Sequence, residues 1–400
     1  MQVADRASLE FSVNWEGRSA LHRDRYFAGK VDPACDIFPG DMGRHVAVLN
    51  EGECYKQGFE AGVLVPPFES SKIIEFKASQ FARLHEGKTI VPRLGRFYPK
   101  GFAWSALKCY SENLDPFRLI EIDNGALTAD TNHPLASYPL TLEAIYLKKL
   151  GTVQDYGGSC NDISEMIMNG GPGMQMPYPG IATDFYFEYP FRRKNEDEDT
   201  LFYRTPRFVN HLDRKAVDQV KSIYSRLLRS DSKILDLMSS WISYLPDTLE
   251  NYESIGLGLN GEELKANRQL SGFVLQDLNR SHELPFEDNE FDSVVCTASI
   301  EYLIKPIQVI GEVARITRPG GLFISTFSDR WFPGKEIQPW SDMHPFERQG
   351  LVLDYYLKTD AFEDLHTESI RGLPRPLDDI HIQETVISDP IFAVWGKVKA

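Results

Sequence analysis

The sequence predicts two kinds of fold in one chain, an α+β region followed by an α/β region. In residues 1–148, apolar and polar residues alternate in short runs that proline and glycine interrupt. In residues 213–400, apolar strand-like runs alternate with amphipathic helical segments. Because strands that alternate with helices pair side by side, this second region is expected to form a mostly parallel sheet covered on both faces.

The composition is that of a globular protein with more than one domain. A chain of 400 residues is long enough for two or three domains. Its net charge of −15 argues against a sequence-independent grip on nucleic acid, which needs a basic surface. No apolar run approaches the roughly 18 residues of a membrane span, and residues 1–6 lack a secretory signal layout. We therefore expect a cytoplasmic protein without nucleic-acid or membrane partners.

Cysteine and histidine usage predicts neither a disulfide framework nor a metal site. The spacing of the cysteines is wide and irregular, and their number is odd: Cys35, Cys54, Cys109, Cys160 and Cys296. His211 and Asp213 are close in sequence, but no pair with zinc-ligand spacing accompanies them. Reduced thiols and no bound metal are expected.

Three runs in the amino-terminal region have the alternation of strands, namely 44–49, 118–122 and 140–146. They predict a half-buried barrel or an open sheet.

The region 149–212 has a different character. Turn signals at 157–158, 170–173 and 177–180 are mixed with methionine and aromatic side chains. A free linker would be polar, so the apolar stretch 157–191 is expected to lie over a neighbouring domain as a lid.

The carboxy-terminal region is predicted element by element. A helix near 217–227 has apolar residues at a period of about 3.6 and comes before the first strand. The strands that follow are expected near 233–238, 254–259, 273–276, 291–296 and 322–327, with helices near 261–270 and 305–317.

The carboxyl ends of these strands are where a doubly wound sheet binds its ligand. The candidate binding residues at these ends are Asp236, Met238, Ser239, Ser240, Gly258, Leu259, Asn260, Gln276, Asp277, Leu278 and Ser299. Each also has a structural interpretation. Asp236 and the serines are suited to capping a strand end or helix, and Asp277 is suited to a helix N-cap.

Four segments of this region, at 233–241, 254–264, 273–295 and 312–325, resemble class I S-adenosylmethionine (SAM) methyltransferases of the type 11 group in their order and spacing. The resemblance implies a Rossmann-like fold and SAM as cofactor. It also implies that Asp236 receives the cofactor amine.

The second half of the cofactor is assigned by the same resemblance. Asp277 would take the adenine amino group, and the backbone at Leu278 would meet the adenine ring. The first loop has no glycine, so serine hydroxyls would replace close backbone approach. The family's ribose-binding acid aligns with Gly258, which leaves Asn260 as the nearest polar substitute, without charge assistance.

Methyl transfer needs alignment, exclusion of water and, for a protonated acceptor, a base. The resemblance places Glu301 and Tyr302 near the transferred methyl group as catalytic candidates. The acceptor-binding candidates are Tyr203, Arg207, His211, Arg330 and Trp331. Taken singly, each is also consistent with a surface charge, a core aromatic residue or a helix cap. The apolar lid favours a small-molecule acceptor.

A second resemblance concerns residues 130–144, which contain Asn-His-Pro-Leu-Ala before a strand. This segment is similar to the end of SlyD-type FK506-binding (FKBP-like) peptidyl-prolyl isomerases. The resemblance implies an FKBP-like β-barrel over 1–148 with an inserted flap domain at about 77–130. Leu142 stands where that family supplies a pocket phenylalanine, so we expect a barrel kept for shape and contacts rather than an active isomerase.

Three functions follow from these observations. The first is SAM-dependent methyl transfer with an appended barrel. The second is a folding helper that binds Pro-containing polypeptides and carries a vestigial SAM domain. The third is a non-catalytic SAM-binding scaffold.

Overall fold

The computed structural model describes residues 5–82, 84–85, 87–151, 159–187 and 189–400. The chain divides into two compact units, which differ from the three consecutive regions 1–148, 149–212 and 213–400. Unit 1 comprises Met1–Glu16, Ala28–Glu188 and Met343–Leu351, and unit 2 comprises Gly17–Phe27, Tyr189–Asp342 and Val352–Ala400. The turn expected at 157–158, and with it part of the expected lid, lies outside the described residues.

The strands of the described chain are β1 (Arg6–Glu16), β2 (Leu21–Val31), β3 (Cys54–Phe59), β4 (Ile73–Lys77), β5 (Leu84–His85), β6 (Lys88–Thr89), β7 (Phe97–Pro99), β8 (Pro116–Asp123), β9 (Ala126–Asp130), β10 (Leu140–Gly151), β11 (Lys233–Leu237), β12 (Glu253–Gly258), β13 (Gly272–Leu275), β14 (Phe291–Thr297), β15 (Thr317–Phe327), β16 (Phe362–Arg371) and β17 (Ile391–Val398). The α-helices are α1 (Met42–Val46), α2 (Trp104–Leu107), α3 (Ile163–Met168), α4 (Asp199–Phe202), α5 (Arg214–Leu227), α6 (Gly261–Ala266), α7 (Pro306–Ile316) and α8 (Pro345–Thr359).

Unit 2 is built on the sheet that the sequence predicts. Its strands follow the order β13-β12-β11-β14-β15-β17-β16, and the first five are parallel. β17 runs antiparallel to both of its neighbours. Residues 21–26 of β2 pair in parallel with β16. The five strands and the helices α5, α6 and α7 are all present where they are expected, although α6 ends earlier.

The buried pattern of these strands explains why they lie in the middle of a layered sheet. In β11 and β14 almost every residue is buried, which is the pattern of a strand covered on both faces. The amphipathic helix α5 places Val220, Ile223 and Tyr224 against one face, where Ile234 and Val295 also pack. Burial of these side chains is the main stabilising contribution in this part of unit 2.

The strand order reverses between β11 and β14. From β11 the chain continues outward to β12 and β13, whereas β14 leads to β15 on the other side. Because the connecting segments diverge at this reversal, they leave a crevice at the carboxyl ends of β11 and β14. The crevice is the expected place of a ligand site.

Unit 1 contains separate antiparallel sheets. β10 pairs with both β1 and β3, and a four-stranded sheet has the order β4-β9-β8-β7. No closed barrel is found in the part of the chain that the structure describes, so the expected FKBP-like β-barrel is not confirmed. The four-stranded sheet falls over the region expected as an insert at about 77–130 and has its own apolar core, which includes Phe76, Phe81 and Phe117.

Two expected strands of unit 1 are present and one is not. Residues 118–122 lie in β8, and residues 140–146 lie in β10. The run 44–49 instead begins within the helix α1, so its assignment as a strand is wrong. Met42 and Val46 are four residues apart and fully buried, and this spacing places both on one face of a helix.

A disulfide joins Cys35 to Cys160 in unit 1. The expectation that these two thiols are reduced is therefore wrong, whereas Cys54, Cys109 and Cys296 are free. Neighbouring backbone brings the pair together, because Ile37 donates to the Asn161 carbonyl at 2.8 Å and accepts from Ile163 at 2.9 Å. The disulfide removes the cysteine-based reason for expecting a cytoplasmic protein.

No helix among the described residues is both long enough and apolar enough to cross a membrane.

Candidate active site

A large pocket opens in unit 2 at the crevice between the diverging strands. The volume of the pocket is about 1110 Å³, including the part that is open to solvent. The loops after β11, β12, β13 and β14 form one side, and residues from 199–212 together with Phe332 form the rest. A pocket of this size and place is suited to a nucleotide-sized ligand.

All of the predicted cofactor-binding residues line this pocket. They are Asp236, Met238, Ser239, Ser240, Gly258, Leu259, Asn260, Gln276, Asp277, Leu278 and Ser299. They come together because the carboxyl ends of parallel strands meet at one edge of the sheet. Their individual contacts differ from those that the sequence led us to expect.

Asp236 is a buried carboxyl group at the end of β11. The Ser239 hydroxyl donates a hydrogen bond to it. Burial raises the pKa of Asp236 to about 7, and hydrogen bonds from Ser239 and Ser243 oppose this increase. Because a nearby cation would favour the ionised form, the site is suited to the ammonium group of an amino-acid ligand.

The loop after β11 approaches β12 closely. The Ser239 amide donates to the Leu257 carbonyl at 2.8 Å. A Cβ atom at position 258 would lie 2.3 Å from the Ser239 carbonyl oxygen, so only glycine fits there. Met238 has a φ of 59°, a conformation that costs a non-glycine residue energy and that clusters at functional sites. The loop therefore occupies the position of the family's ribose-binding acid.

Asn260 forms hydrogen bonds with the protein through its whole amide group. Its oxygen accepts from the amides of Glu262 and Glu263 at the start of α6. Its nitrogen donates to the carbonyls of Tyr203 and Arg204, at 2.8 and 3.2 Å. Since a side-chain amide has two donors and two acceptor positions, this geometry favours a capping role for Asn260 over ribose binding.

Glu263 is a buried carboxylate in the pocket wall that sequence reasoning missed. One oxygen accepts from the Arg207 amide at 2.7 Å, and the other accepts from the Ser240 hydroxyl at 2.6 Å. A carboxylate has about four acceptor positions, so Glu263 retains capacity for a ligand. The only sequence signal was its place in the first turn of the helix after β12, where acidic residues are common for helix-dipole reasons.

Asp277 combines a structural contact with an available oxygen. Its Oδ1 accepts from the amides of Asn279 and Arg280, at 2.9 and 3.3 Å, as a turn cap does. Its Oδ2 has no hydrogen bond to any residue that the structure describes. The Gln276 side chain is held by the carbonyls of Ser281 and Glu283. Of the two side chains, that of Asp277 is the one free to bind a ligand amine.

The predicted acceptor residues are only partly brought together. Tyr203, Arg207, His211 and Tyr302 line the pocket, whereas Glu301, Arg330 and Trp331 do not. Glu301 is buried, and its backbone carbonyl accepts a hydrogen bond from the Ile337 amide. The sequence assigned all three to the site, and the structure places them outside the lining of this pocket.

The loop after β15 explains why Arg330 is absent from the pocket. Its guanidinium binds Asp389 at 3.0 Å, and the nearby Ser328 hydroxyl donates to the Pro390 carbonyl at 2.7 Å. These contacts hold the loop against the segment before β17. Phe332 lines the pocket instead, and its amide donates to the Tyr302 hydroxyl at 2.8 Å.

Phe332 is the centre of an aromatic cluster in the pocket wall. Its ring contacts Tyr203 and His211 edge-on, with centroid separations of 6.0 and 4.8 Å. The Arg207 guanidinium lies 5.1 Å from the centroid of the same ring. Burial raises the pKa of Tyr203 and of Tyr302, so both phenols are neutral at ordinary pH.

Asp199 also lines the pocket and was not expected there. Arg193 contacts both of its carboxylate oxygens at 2.8 Å, and Lys335 and Asn279 contact one each, at 2.9 and 2.8 Å. Burial raises the pKa of Asp199, but these hydrogen bonds outweigh that effect and hold the pKa below its usual value. This carboxylate therefore serves to hold the pocket wall together.

Comparison with known proteins agrees with this geometry. Residues 241–325 match the family model described as a methyltransferase domain. The match begins after β11 and its glycine-free loop. A fatty-acid O-methyltransferase of Mycolicibacterium smegmatis is 27% identical over 158 residues, which are 38% of this chain and 53% of that protein.

A second relative is the ubiquinone/menaquinone biosynthesis C-methyltransferase of Chromobacterium violaceum. It is 30% identical over 120 residues, covering 30% of this chain and 45% of that protein. The chain thus spans about half the length of these curated relatives.

Solved structures are similar to part of this chain. A Haemonchus contortus phosphoethanolamine N-methyltransferase 2, in complex with S-adenosyl-L-methionine, has a TM-score of 0.32 and 11% identity, covering 46% of this chain and 53% of that one. A SAM-dependent methyltransferase from Mesorhizobium loti has a TM-score of 0.30 and 13% identity, covering 45% and 99%.

Residues 241–325 thus match a methyltransferase domain, and the strand order and the pocket of unit 2 agree with this match. The cofactor of this domain is S-adenosyl-L-methionine.

Proposed function

We propose that this protein transfers a methyl group from SAM to a small-molecule acceptor. One observation carries the proposal: the predicted cofactor residues of four strand ends all line a single pocket, in a chain that matches the methyltransferase domain. The relatives named for fatty-acid and for ubiquinone/menaquinone chemistry support an acceptor of low molecular weight.

The residues at the β11 and β13 ends would hold the two ends of the cofactor. Asp236 would bind the ammonium group of the cofactor. This contact would stabilise the ionised form of the Asp236 carboxyl group, which burial disfavours. The Oδ2 of Asp277 would accept from the adenine amino group, with Leu278 against the ring. When bound, SAM supplies an activated methyl group, so the protein mainly has to position the acceptor and exclude water.

Glu263 is our candidate for the ribose hydroxyl groups. Gly258 has no side chain, and the side-chain amide of Asn260 already forms four hydrogen bonds with backbone groups. Glu263 supplies the charged acceptor that these positions lack, and Ser240 and Arg207 hold its carboxylate in place. Charge-assisted hydrogen bonds of this kind are stronger than those of an amide.

Calorimetry with S-adenosylhomocysteine tests the assignment. Asp236→Asn, Asp277→Ala and Glu263→Gln should each weaken binding by about 1–3 kcal/mol, because each removes a charged hydrogen bond. Asp378→Ala is the matched control, since this carboxylate is exposed and lies outside the pocket. Equal affinity in all four variants would place the cofactor elsewhere. Turnover of SAM with any acceptor separates an enzyme from a non-catalytic SAM-binding scaffold.

As a second candidate function, we propose that unit 1 is an interaction module, similar to FKBP-like domains, for Pro-containing polypeptides. A cavity of about 670 Å³, part of it open to solvent, supports this idea. It is lined by Asn132, His133 and Pro134 of the FKBP-like segment and by the aromatic rings of Phe97 and Tyr178.

The contacts in this cavity favour binding without catalysis. The His133 ring accepts from the Leu135 amide and contacts the Met168 carbonyl, which ties it to the chain. Leu142 is fully buried and does not line the cavity.

A prolyl-peptide isomerisation assay and a peptide-binding assay test this candidate. Peptide binding without isomerisation is expected, and Tyr178→Ala should abolish it. Tyr110→Ala, which alters an exposed residue outside the cavity, is the control. Isomerase activity would instead favour a folding helper, and no peptide binding would contradict the module.

A further inference from the structure

We propose that His211 is the general base of methyl transfer and that the acceptor is an aromatic hydroxyl group. This inference rests on the proposed methyltransferase function. It adds the residue that takes the acceptor's proton and the chemical class of the acceptor.

The position of His211 carries the first step of the argument. Its ring lines the pocket together with Phe332, and the two rings meet edge-on with centroids 4.8 Å apart. The ring of His211 has no hydrogen bond to any residue in the described part of the chain. The residue is exposed to solvent over part of its surface while its ring is partly buried in the pocket wall, so its ring nitrogens are open to a ligand.

The other ionisable groups of the pocket are unsuited to this task. Asp199 is bound by Arg193, Lys335 and Asn279, and Asp236 lies at the predicted amine site. Glu263, Asp277 and Asp236 are on the cofactor side, at the ends of β11, β12 and β13. The ionisable side chains in contact with Phe332 are the phenols Tyr203 and Tyr302, the cation Arg207, and His211. Of these, only His211 accepts a proton readily near neutral pH.

The surroundings of His211 keep the ring neutral. Burial lowers its pKa, the Glu263 carboxylate opposes this decrease, and the Arg207 guanidinium adds to it. A neutral imidazole is the form that can act as a base.

The same group of side chains indicates the acceptor. Phe332, Tyr203 and Tyr302 provide aromatic faces and edges that pack well against a planar ring. Arg207, beside Phe332, would stabilise the negative charge that develops on a hydroxyl oxygen. A phenol, with a pKa near ~10, is within reach of a histidine base, whereas an aliphatic alcohol is a far weaker acid.

The chemical step balances as follows. The phenol oxygen forms a bond to the methyl carbon while its proton passes to a ring nitrogen of His211. The bond between sulfur and the methyl carbon breaks, and its electron pair stays on sulfur, which becomes neutral. The positive charge of the sulfonium is then carried by the imidazolium, which releases its proton to solvent.

The experiment uses the full chain, SAM and two acceptor probes, 4-methylphenol and dodecanoate. 4-Methylphenol keeps its proton at neutral pH, whereas dodecanoate is already ionised and needs no base. Wild-type protein should methylate 4-methylphenol, and His211→Gln should lower kcat for this probe by about 100-fold. His282→Gln, outside the pocket, should leave it unchanged. Calorimetry with S-adenosylhomocysteine on each variant shows whether the fold and cofactor site persist.

The pH profile separates a base from a structural role. In the wild type, kcat/KM should rise to its plateau below pH ~6.5, the usual histidine pKa, because the pKa of His211 is lowered. Arg207→Met should move this rise to higher pH, because it removes one cause of the lowering.

Each other outcome overturns part of the proposal. Undiminished 4-methylphenol turnover in His211→Gln contradicts the assignment of His211 as the base. If the protein methylates only dodecanoate, or neither probe while S-adenosylhomocysteine still binds, the acceptor is not an aromatic hydroxyl group. The proposed function is not contradicted by either result. Failure of S-adenosylhomocysteine to bind the wild type sinks the proposed function itself.

Discussion

At the scale of single residues, the candidate site depends on charges held where water is scarce. Asp236 is buried and bound by a serine hydroxyl, whereas Asp199 is buried and bound by two cations. The two carboxyl groups therefore respond in opposite ways, since the pKa of Asp236 is raised and that of Asp199 is lowered. A buried carboxyl group without a cation is the one that a cationic ligand stabilises.

Asp236→Asn should make unfolding less dependent on pH. A carboxyl group whose pKa is raised to about 7 by folding stabilises the protein at low pH and loses this contribution as pH rises from about 4 to about 7. The upper limit of the loss is on the order of 4 kcal/mol. At pH 8 the variant should be more stable than the wild type, although it binds S-adenosylhomocysteine more weakly.

Chemical denaturation at pH 5 and pH 8 measures this effect. The difference between variant and wild type should grow toward high pH, and Asp378→Asn, at an exposed carboxylate, should show no such trend. A variant that is equally destabilised at both pH values would mean that the Asp236 carboxyl does not titrate as described.

At the scale of elements, a buried ion network ties the start of α5 to the segment before β17. Asp213 caps α5 by accepting from the amides of Lys215 and Ala216. The same carboxylate accepts from the Ser388 hydroxyl and the Asp389 amide. Arg375 lies between Asp213 and Asp389 and is itself buried. The network fixes the helix that covers β11, and hence one wall of unit 2.

Arg375→Met should destabilise the protein by about 3–5 kcal/mol, because it removes the cation beside the buried Asp213 and one of the two cations beside Asp389. Arg214→Met removes an exposed pair with Asp378 and should cost at most about 1 kcal/mol. Thermal and chemical denaturation of the two variants gives the comparison. Similar small losses in both would show that Asp213 and Asp389 are accessible to water.

At the scale of the whole molecule, a single covalent bond closes a long stretch of unit 1. Cys35 and Cys160 are separated by 125 residues. Closing such a loop restricts the unfolded chain and so raises the free energy of unfolding.

Cys160→Ser should lower the free energy of unfolding by about 4–5 kcal/mol, the loop-entropy value for a loop of this length. Cys54→Ser, at an exposed free thiol, is the control and should behave as the wild type. Thiol titration of the unfolded protein, with and without reductant, should differ by two thiols. A wild-type protein with five titratable thiols before reduction would contradict the disulfide.

The sequence by itself determined the parallel sheet of unit 2 and the set of residues at its carboxyl edge. It could do so because the strand period, the connecting helices and the edge rule are local or topological properties. Asp236 and Asp277 were therefore placed in the pocket before any coordinates, and all eleven predicted cofactor residues line it.

The tertiary structure decided what each of these side chains contacts. Asn260 caps α6, Glu263 enters the pocket, and Phe332 replaces Arg330 and Trp331 in its wall. It also decided the open sheets of unit 1 and the pairing of Cys35 with Cys160. These features depend on contacts between residues that are far apart in sequence, and hydrophobic periodicity carries no information about such contacts.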